Sequence, residues 1–303
     1  MNNGIIVDEN QKANFSLPCD FPIRVYETNL QEKPYGYNGW HWHDEFQLCV
    51  VQEGAICMTV QKKEYLLETG EGIFINAGLL HMTHPIQGHN ARYLCINIHP
   101  VMFSFFRGSL LEQKYFLPYI QNGGFFAVPL KPDAEWQLEV LKRQNILSGL
   151  MEKQEPGYEL EVYIHLISIW KDLVLNADVS GQVEFSVFRH EEIKEIITYI
   201  QQHYAGHISL QDIASSLHIS KSGCCRLFKQ ALNCTILDYL TEYRIQKSLT
   251  LLTGTDKSVT QIAYDVGFSC VSYYIKKFNL TMHMTPGAYR KMKQPVSRKA
   301  HNA

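Results

Sequence analysis

Three histidines in the N-terminal half have spacings that suit metal coordination or the binding of a polar ligand. His41 and His43 lie two residues apart in a segment with strand character, and His81 follows a further group of short strands. Alternate residues of a strand share one face, so His41, His43 and Gln47 are expected to point in the same direction. Three imidazoles and one amide oxygen are ligands that suit a first-row divalent metal.

A ligand pocket without metal is the alternative use of the same residues. The amide oxygen of Gln47 is a weaker ligand than a carboxylate, so we favour pocket lining and expect no bound cofactor. The predicted effector pocket consists of His41, His43, Gln47, His81 and Trp42. If a metal is bound, its candidate ligands are His41, His43, Gln47 and His81. Aromatic and polar side chains together suit a small polar ligand such as a sugar. A barrel core is the more common role for Trp40, Trp42, Phe46 and Tyr65.

A different chemistry is indicated in the last third of the chain, where a short helix, a tight turn and a second helix occur twice. Ser209 can cap the first helix of the first unit, and Ser220 can cap its second helix. The second unit begins at Val259, and Gly267 supplies a turn that a side chain would obstruct. The second helix of each unit has a polar, partly basic outer face, which is typical of a DNA-reading helix-turn-helix. A helical bundle that does not bind DNA is the alternative.

These two units resemble the DNA-binding domain of the AraC/XylS family of transcription regulators. The matching residues are Ile262-Ala263, Val266-Gly267-Phe268-Ser269, Tyr273-Tyr274, Phe278, Thr285-Pro286 and Tyr289-Arg290, with Phe228-Lys229, Arg244 and Leu251-Leu252 in the first half. The resemblance covers residues 190–293. It implies seven helices, in which a long helix over 236–252 holds two reading helices against successive segments of the major groove.

The resemblance also implies which side chains meet DNA. The base-edge candidates are Ser222, Cys225, Arg226, Val271, Ser272, Ile275 and Lys276, and the phosphate candidates are Lys221, Lys229, Lys277 and Arg290. Among the first group we favour Arg226, because a guanidinium can bridge O6 and N7 of guanine.

The distribution of charge supports a DNA-binding C-terminal part. From Arg189 onward there are 15 basic and 8 acidic residues, whereas the preceding part holds 13 basic and 22 acidic residues. A basic part joined to an acidic part is expected when only one domain meets phosphates.

The elements that position the histidines are short strands, and those that follow them are helices. Strands are predicted at Phe46–Val51, Ala55–Gln61, Lys63–Leu67, Gly72–Ile75 and Arg92–Ile98. Helices are predicted over 134–151 and 160–175, joined by a Pro156-Gly157 turn into a hairpin. The segments from Gly36 to Gln47 and from Gly70 to His81 resemble the two cupin motifs, which implies a small β-barrel.

The predicted fold class is mixed β and α, with a cupin-like barrel, a helical hairpin and an all-α domain that contains two helix-turn-helix units. The predicted divisions are an N-terminal arm over 1–20, the effector-binding barrel over 21–132, a dimerising hairpin over 133–176, a linker over 177–188, the DNA-binding domain over 189–293 and a disordered tail over 294–303.

Neither a secretory signal nor a membrane-spanning stretch is predicted, so we expect a cytoplasmic protein. The eight cysteines form no C-x-x-C pair, and free, mostly buried thiols are expected in a reducing compartment.

The sequence therefore predicts a DNA-binding transcription regulator, an activator controlled by a small effector, and not an enzyme. Its expected partners are double-stranded operator DNA, a small molecule such as a carbohydrate, a second copy of the chain and RNA polymerase, with no membrane. The alternative is a metal-dependent cupin enzyme fused to a DNA-binding domain.

Overall fold

The computed structural model describes residues 6–7, 13–14, 17–18, 20–33, 35–61, 63–86, 90–103, 106–121, 127–177, 187–232 and 234–293. The chain divides into two compact units, Met1–Glu191 and Glu192–Ala303. Strands followed by helices form the first unit, and the described part of the second is helical. This confirms the predicted mixed β and α class. No helix in these ranges combines the length and apolar character needed to cross a membrane.

The strands of the first unit form two larger antiparallel sheets. They are β1 (Ile6–Val7), β2 (Ala13–Asn14), β3 (Ile23–Asn29), β4 (Asn38–His41), β5 (Phe46–Glu53), β6 (Ala55–Val60), β7 (Lys63–Glu68), β8 (Gly72–Ile75), β9 (His81–Pro85), β10 (Arg92–Ile98) and β11 (Ala127–Leu130). One sheet has the order β11-β8-β5-β10-β3, the other has the order β4-β9-β6-β7, and β1 pairs with β2 alone. The five predicted strands are present, with ends that differ by no more than two residues.

Strand β5 is buried on both faces along its first six residues. Phe46, Leu48 and Val50 belong to one core, and Cys49 and Val51 belong to another. Residues of a strand alternate between faces, so the two cores lie on opposite sides of the five-stranded sheet. The run Phe46–Val51 is apolar at five of six positions because both faces pack, and Gln47 is the exception.

Helices cover one face of this sheet. The first unit contains α1 (Leu110–Tyr115), α2 (Leu117–Gln121), α3 (Glu135–Lys153) and α4 (Tyr158–Asn176), of which the last two are the predicted hairpin. Val162, Leu166 and Leu173 of α4 are buried in the same core as Phe46. Trp170 stacks near Phe46, at 5.4 Å between ring centroids, and donates its indole N–H to the carbonyl of Tyr115. This indole therefore fastens α4 both to the sheet and to α1.

The helices of the second unit follow the predicted doubled arrangement. They are α5 (Val187–His203), which begins shortly before the unit, α6 (Leu210–Ser216), α7 (Lys221–Leu232), α8 (Ile236–Gly254), α9 (Val259–Asp265), α10 (Val271–Met282) and α11 (Pro286–Lys293). Helix α8 packs against α7, α9, α10 and α11. Both helix-turn-helix units are therefore built on one long helix.

Reciprocal capping bonds start the first helix of each helix-turn-helix. The hydroxyl of Ser209 accepts the backbone N–H of Asp212, and the carboxylate of Asp212 accepts the backbone N–H of Ser209. Ser258 and Gln261 make the same pair of bonds at the start of α9. Each pair satisfies two of the donors that a helix start leaves free, so the start of each helix is specified by local sequence.

Two arginines connect the long helix and the last helix to neighbouring backbone carbonyls. Arg244 of α8 donates from Nε to the carbonyl of Tyr204 and from Nη2 to that of Gly206, both at 2.8 Å. Arg290 of α11 donates in the same way to the carbonyls of Leu252 and Lys257, at 3.0 and 2.6 Å. Each guanidinium satisfies carbonyls that no helix or strand ladder would satisfy.

Several predicted segments lie wholly or partly outside the described residues. They are most of the arm over 1–20, residues 178–186 of the linker over 177–188, and the tail over 294–303.

We expect Gly267→Ala to lower the free energy of unfolding of the C-terminal unit by roughly 2–4 kcal/mol. Alanine is strained in the left-handed backbone conformation of this position, and its Cβ would also clash with neighbouring atoms. Gly267 has a φ of +91°, and an added Cβ would lie 2.4 Å from the carbonyl oxygen of Tyr204 and 2.9 Å from Nε of Arg244. Urea unfolding followed by helical circular dichroism measures the change. Gly254→Ala is the control, because open space surrounds that position. Equal midpoints for both variants would contradict the argument.

Candidate DNA interface and effector site

Helix α7 separates an apolar face from a polar one. Cys224, Leu227 and Phe228 are buried, and they pack this helix into the second unit. Lys221, Ser222, Arg226 and Lys229 are exposed on the other side, and Cys225 is half-buried. The hydroxyl of Ser220 accepts the backbone N–H of Gly223, which confirms the predicted cap. The turn before it places His218 at a φ of 56°, a conformation that ordinary side chains adopt less readily.

Helix α10 repeats this division. Tyr274 and Phe278 are buried, and the hydroxyl of Tyr274 donates to Ser248 of α8. Ser272, Ile275 and Lys276 are exposed, and Val271 is half-buried at the first turn. The structure therefore places the predicted base-edge residues on outward faces, apart from partial burial of Cys225 and Val271.

The four predicted phosphate contacts differ in their surroundings. Lys221 and Lys229 are exposed, and Lys277 is half-buried with its ammonium 5.7 Å from the ring centroid of Tyr273. Arg290 uses two of its N–H groups on the carbonyls of Leu252 and Lys257. The lysines are thus free to reach a phosphate, whereas Arg290 has a bracing role within the unit and its phosphate contact stays a prediction.

The histidines of the first unit come together at one end of its two larger sheets. His41 at the end of β4 pairs directly with His81 at the start of β9, and His43 follows in the connection to β5. All three side chains are buried, and one ligand atom of each lies within 4.8 Å of the others. Ring centroids are 4.2 Å apart for His41 and His81 and 5.0 Å apart for His43 and His81. The structure therefore brings the three histidines together in one buried cluster.

Each of these histidines is oriented by a backbone carbonyl near in sequence. The Nδ1 atoms of His41, His43 and His81 lie 2.8, 2.9 and 2.8 Å from the carbonyl oxygens of Gly39, Glu45 and Leu79. A carbonyl can only accept, so such a contact is a hydrogen bond when Nδ1 carries the proton. That tautomer leaves the Nε2 lone pairs of the cluster available.

Burial is the main cause that keeps the three rings neutral. It lowers the pKa of His41 to about 3, with a further effect of His43. It lowers the pKa of His43 to about 4, where the bonds to Gln47 and Glu45 act in the opposite direction. For His81 the pKa is also well below the ordinary value, through burial and through the two neighbouring histidines. An imidazolium at this site would lose its hydration, a cost that the carboxylate of Glu45, 3.5 Å from Nδ1 of His43, does not outweigh.

Gln47 connects the histidines to a pair of cysteines. Its Oε1 lies 2.8 Å from Nε2 of His43, and its amide nitrogen donates to the sulfur atoms of Cys49 and Cys95. These cysteines are directly opposed on β5 and β10 and are joined as a disulfide. The prediction of free thiols is wrong for this pair, because strand register brings together cysteines that are 46 residues apart. Cys57, Cys224, Cys225, Cys234 and Cys270 are free, and Cys19 lies outside the described residues.

Two polar residues near Gln47 were not identified from the sequence. Asn97 of β10 is the register partner of Gln47 and is fully buried, and its Oδ1 accepts the hydroxyl of Tyr26 at 3.2 Å. A polar residue inside the apolar run Tyr93–Ile98 is the signal that could have indicated Asn97. No comparable feature of the sequence indicates Tyr26 on β3.

The aromatic candidates are distributed differently. Trp42 is half-buried and lies between His41 and His43, so the alternation of an extended chain directs it away from them. Phe46 packs on Trp170 in the helix-covered core and does not line the side of Gln47. Tyr65 is buried in the core between the sheets. The cluster is thus built from imidazoles and an amide, without these rings.

Two family models match the chain. A model described as the AraC-like ligand binding domain matches residues 30–166, and one described as a helix-turn-helix domain matches residues 213–292. The first range contains the histidine cluster, and the second contains α7 and α10.

Individual proteins are similar over most of the chain. The uncharacterised HTH-type transcriptional regulator YdeC of Bacillus subtilis (strain 168) is 33% identical over 288 residues, which cover 95% of this chain and 98% of that protein. The HTH-type transcriptional activator RhaS of Salmonella arizonae is 23% identical over 261 residues, covering 84% and 88%. Among solved structures, Vibrio cholerae ToxT with a bound unsaturated fatty acid is 15% identical, covers 90% of this chain and 95% of its own, and has a TM-score of 0.44.

The histidine cluster predicts a loss of stability on mild acidification. A histidine with a folded pKa below its unfolded value of about 6.5 binds its proton mainly after unfolding, so unfolding takes up protons below that pH. Above pH 6.5, we expect the three histidines to add no pH dependence to the free energy of unfolding of the metal-free protein. It should then fall by up to about 1.4 kcal/mol per pH unit for each histidine as pH decreases towards 4.

Urea midpoints of chelator-treated protein between about pH 7.5 and 5 measure this effect. His81→Asn should reduce the dependence on pH by about a third, because one of three buried imidazoles is removed. His207→Asn, at an exposed histidine of the second unit, is the control and should leave it unchanged. An unchanged dependence in His81→Asn would exclude the cluster as its source.

Proposed function

The chain belongs to the AraC family of transcription regulators, and we propose that it reads operator DNA with α7 and α10 under the control of a ligand held beside β4, β5 and β9. Its helix-turn-helix domain implies DNA binding, and its AraC-like ligand binding domain implies a small-molecule effector. The residues that contact DNA, the class of the effector and the direction of regulation are the parts proposed here.

The exposed outer faces of the two reading helices carry this proposal. In both helices the inner apolar residues pack within the unit, and the outer face carries exposed polar and cationic residues, together with exposed Tyr273, Ile275 and Leu280 on α10. A second helix with this division can lie in the major groove without losing its own packing. Had these outer faces been buried, the unit would be a helical bundle with no surface for DNA.

We assign base contacts to Ser222, Cys225 and Arg226 of α7 and to Val271, Ser272, Ile275 and Lys276 of α10. Arg226 suits guanine, whose O6 and N7 accept both N–H groups of a guanidinium. Ile275 and Val271 can contact a thymine methyl group. Lys221, Lys229 and Lys277 are assigned to phosphates, which fix position without reading sequence.

Activation is the proposed direction of regulation. The relative from Salmonella arizonae is named a transcriptional activator and is similar over 84% of this chain. RNA polymerase is the further partner that activation requires. We propose that the protein acts on chromosomal DNA in the cytoplasm. YdeC and RhaS are both named transcription regulators, and we propose no catalytic activity for this chain.

The effector site is assigned to the cluster of His41, His43, Gln47 and His81. A sugar remains the organic effector to test first, since imidazoles and amides form hydrogen bonds with hydroxyl groups. Trp42 is the weakest member of this set, because it is directed away from the histidines.

The helical hairpin α3–α4 is assigned to dimerisation. Its inner face packs on the sheet, whereas Leu160, Tyr163, Ile164 and Leu175 of α4 and Ile146 of α3 are exposed. Leu160 and Ile164 are four residues apart, so they lie on the same side of the helix. An exposed apolar stripe of this kind is a common feature of subunit interfaces.

Replacing Arg226 or Lys276 by alanine should weaken operator binding by about 1–3 kcal/mol for each side chain that contacts a base. Operator duplexes selected from random sequences provide the DNA, and fluorescence anisotropy at fixed salt provides the affinity. Lys63→Ala removes one exposed positive charge from β7 of the other unit, outside the hairpin, and should leave binding unchanged. Unaltered affinity in both α7 and α10 variants would refute the assignment.

Ile164→Glu should weaken the dimer at least tenfold, a change of about 1.4 kcal/mol, because it buries a charge against an apolar partner surface. Sedimentation velocity over a range of protein concentrations measures dissociation. Leu66→Glu is the matched control, since Leu66 of β7 is 61% exposed and Ile164 is 57% exposed. A monomeric wild-type protein, or equal dissociation in both variants, would contradict the assignment of the hairpin.

A further inference from the structure

We propose that Arg24 and Asn97 bind an anionic group of the effector, a carboxylate or a phosphate, so that the effector is a sugar acid or a sugar phosphate. The inference rests on the proposed function, because it names a chemical class for the ligand of the effector site. It assigns recognition of that ligand to β3 and β10, outside the histidine cluster.

Strand register places Arg24, Asn97 and Gln47 side by side on three neighbouring strands. Asn97 of β10 is the direct partner of Arg24 on β3 and of Gln47 on β5. Directly opposed residues of antiparallel strands point to the same face of the sheet, with Cβ atoms about 4.5–5.5 Å apart. The row therefore runs from β3, at the edge of the sheet, to the amide that contacts His43.

This row faces the space between the two sheets. The residues before and after Arg24 and Asn97 in their strands all pack in the helix-covered core, and they are Ile23, Val25, Ile96 and Ile98. Alternation along a strand therefore directs Arg24 and Asn97 to the opposite face. An effector bound beside the histidines would thus meet these two side chains on the facing sheet.

The amide nitrogen of Asn97 has no acceptor among the described residues. Asn97 is fully buried, and its Oδ1 accepts the hydroxyl of Tyr26 at 3.2 Å, whereas its Nδ2 has no hydrogen-bond partner there. A buried donor without an acceptor loses the hydrogen bonds that it makes with water in the unfolded chain, so such donors are rare outside functional sites. A ligand atom that accepts a hydrogen bond would satisfy this nitrogen.

Arg24 supplies a second set of donors without a partner. Its side chain is half-buried and makes no hydrogen bond or ion pair with any described residue. In the same unit, Arg92 and Arg143 lie 3.0 and 4.0 Å from carboxylate oxygens, and Arg107 is exposed. Charged groups that lose part of their hydration are usually paired. Arg24 is therefore suited to a ligand of opposite charge.

These two side chains define the group that they can bind. A guanidinium carries five N–H donors and no acceptor, and its planar fork matches the oxygens of a carboxylate or a phosphate. A neutral hydroxyl group can accept a hydrogen bond from it but cannot offset its charge. Glu45 does not take this role, because its carboxylate faces His43 at 3.5 Å and forms no ion pair with Arg24.

Gln47 connects this pair to the histidines, so one small molecule can contact both. Two strand spacings, about 10 Å, separate the backbones at Arg24 and Gln47, and the arginine side chain spans much of that distance. The neutral histidines can accept hydrogen bonds from hydroxyl groups at one end of the ligand. Arg24 and Asn97 can donate to an acidic group at its other end. Sugar acids and sugar phosphates carry both kinds of group.

Matched acidic and neutral sugars test the proposal on the full-length, chelator-treated protein. Melting temperatures are measured during titration with D-glucuronate and glucose 6-phosphate against D-glucose, and with D-galacturonate against D-galactose. We expect at least one acid to raise the melting temperature in a saturable manner and to exceed its neutral counterpart. The uronates and the sugar phosphate distinguish a carboxylate from a phosphate. If no acid exceeds its counterpart, the proposal is overturned.

Arg24→Gln tests whether the acid acts through the guanidinium. Its affinity for the stabilising acid, measured by isothermal titration calorimetry, should fall at least tenfold. Arg92→Gln is the matched control, because Arg92 lies on β10 five residues from Asn97, about 17 Å along the strand, and it should bind like wild type. An unchanged affinity in Arg24→Gln, or equal losses in both variants, would contradict the assignment.

Asn97→Asp provides an independent test with little change in shape. The new carboxylate would take the place of the acidic group of the ligand beside Arg24, so affinity for the acid should again fall at least tenfold. Retained affinity in a folded Asn97→Asp protein would exclude Asn97 from the site. If circular dichroism shows that this variant does not fold, Arg24→Lys decides, since it keeps the charge without the fork and should bind between wild type and Arg24→Gln.

Failure of this inference is distinguishable from failure of the proposed function. Operator binding is measured separately by fluorescence anisotropy. A protein that binds operator DNA but responds to no acid would reject only the anionic effector. A protein that binds an acid through Arg24 but no operator would reject the proposed function and keep the ligand site.

Discussion

Burial of both faces of β5 is the constraint on which the first unit depends. One face holds Phe46 against Trp170 of the helical hairpin, and the other directs Gln47 and Cys49 into the space between the sheets. A shift in register by one residue would exchange these two sets of side chains. The same packing that attaches the helices therefore sets the position of the amide beside His43.

The histidine cluster depends on this arrangement in a second way. Its members come from β4, from the connection to β5 and from β9, so no single segment forms the site. Backbone carbonyls orient each ring locally, but only pairing of β4 with β9 brings His41 beside His81. A ligand at this position would contact residues on both sides of the sandwich and would stabilise their arrangement.

In the second unit the corresponding constraint is that packing occupies only one face of each reading helix. Tyr274 is buried and bonded to Ser248 of the long helix, and Phe228 stacks edge-on to Tyr239 of the same helix at 5.4 Å. Arg244 and Arg290 then connect the surrounding loops through bonds to backbone carbonyls. With these interactions made inside the unit, Arg226 and Lys276 remain exposed on its surface.

The sequence by itself determined the features that depend on local interactions. Capping residues, helical periodicity and turn glycines specify both helix-turn-helix units, and Ser209 and Gly267 have the roles that their residue types predict. Tertiary structure alone decided the pairing of Cys49 with Cys95, the burial of Asn97 beside Gln47 and the use of Arg290 as a brace. These features arise from contacts between residues distant in the chain, and their geometry depends on strand register and helix packing, which residue type and spacing do not encode.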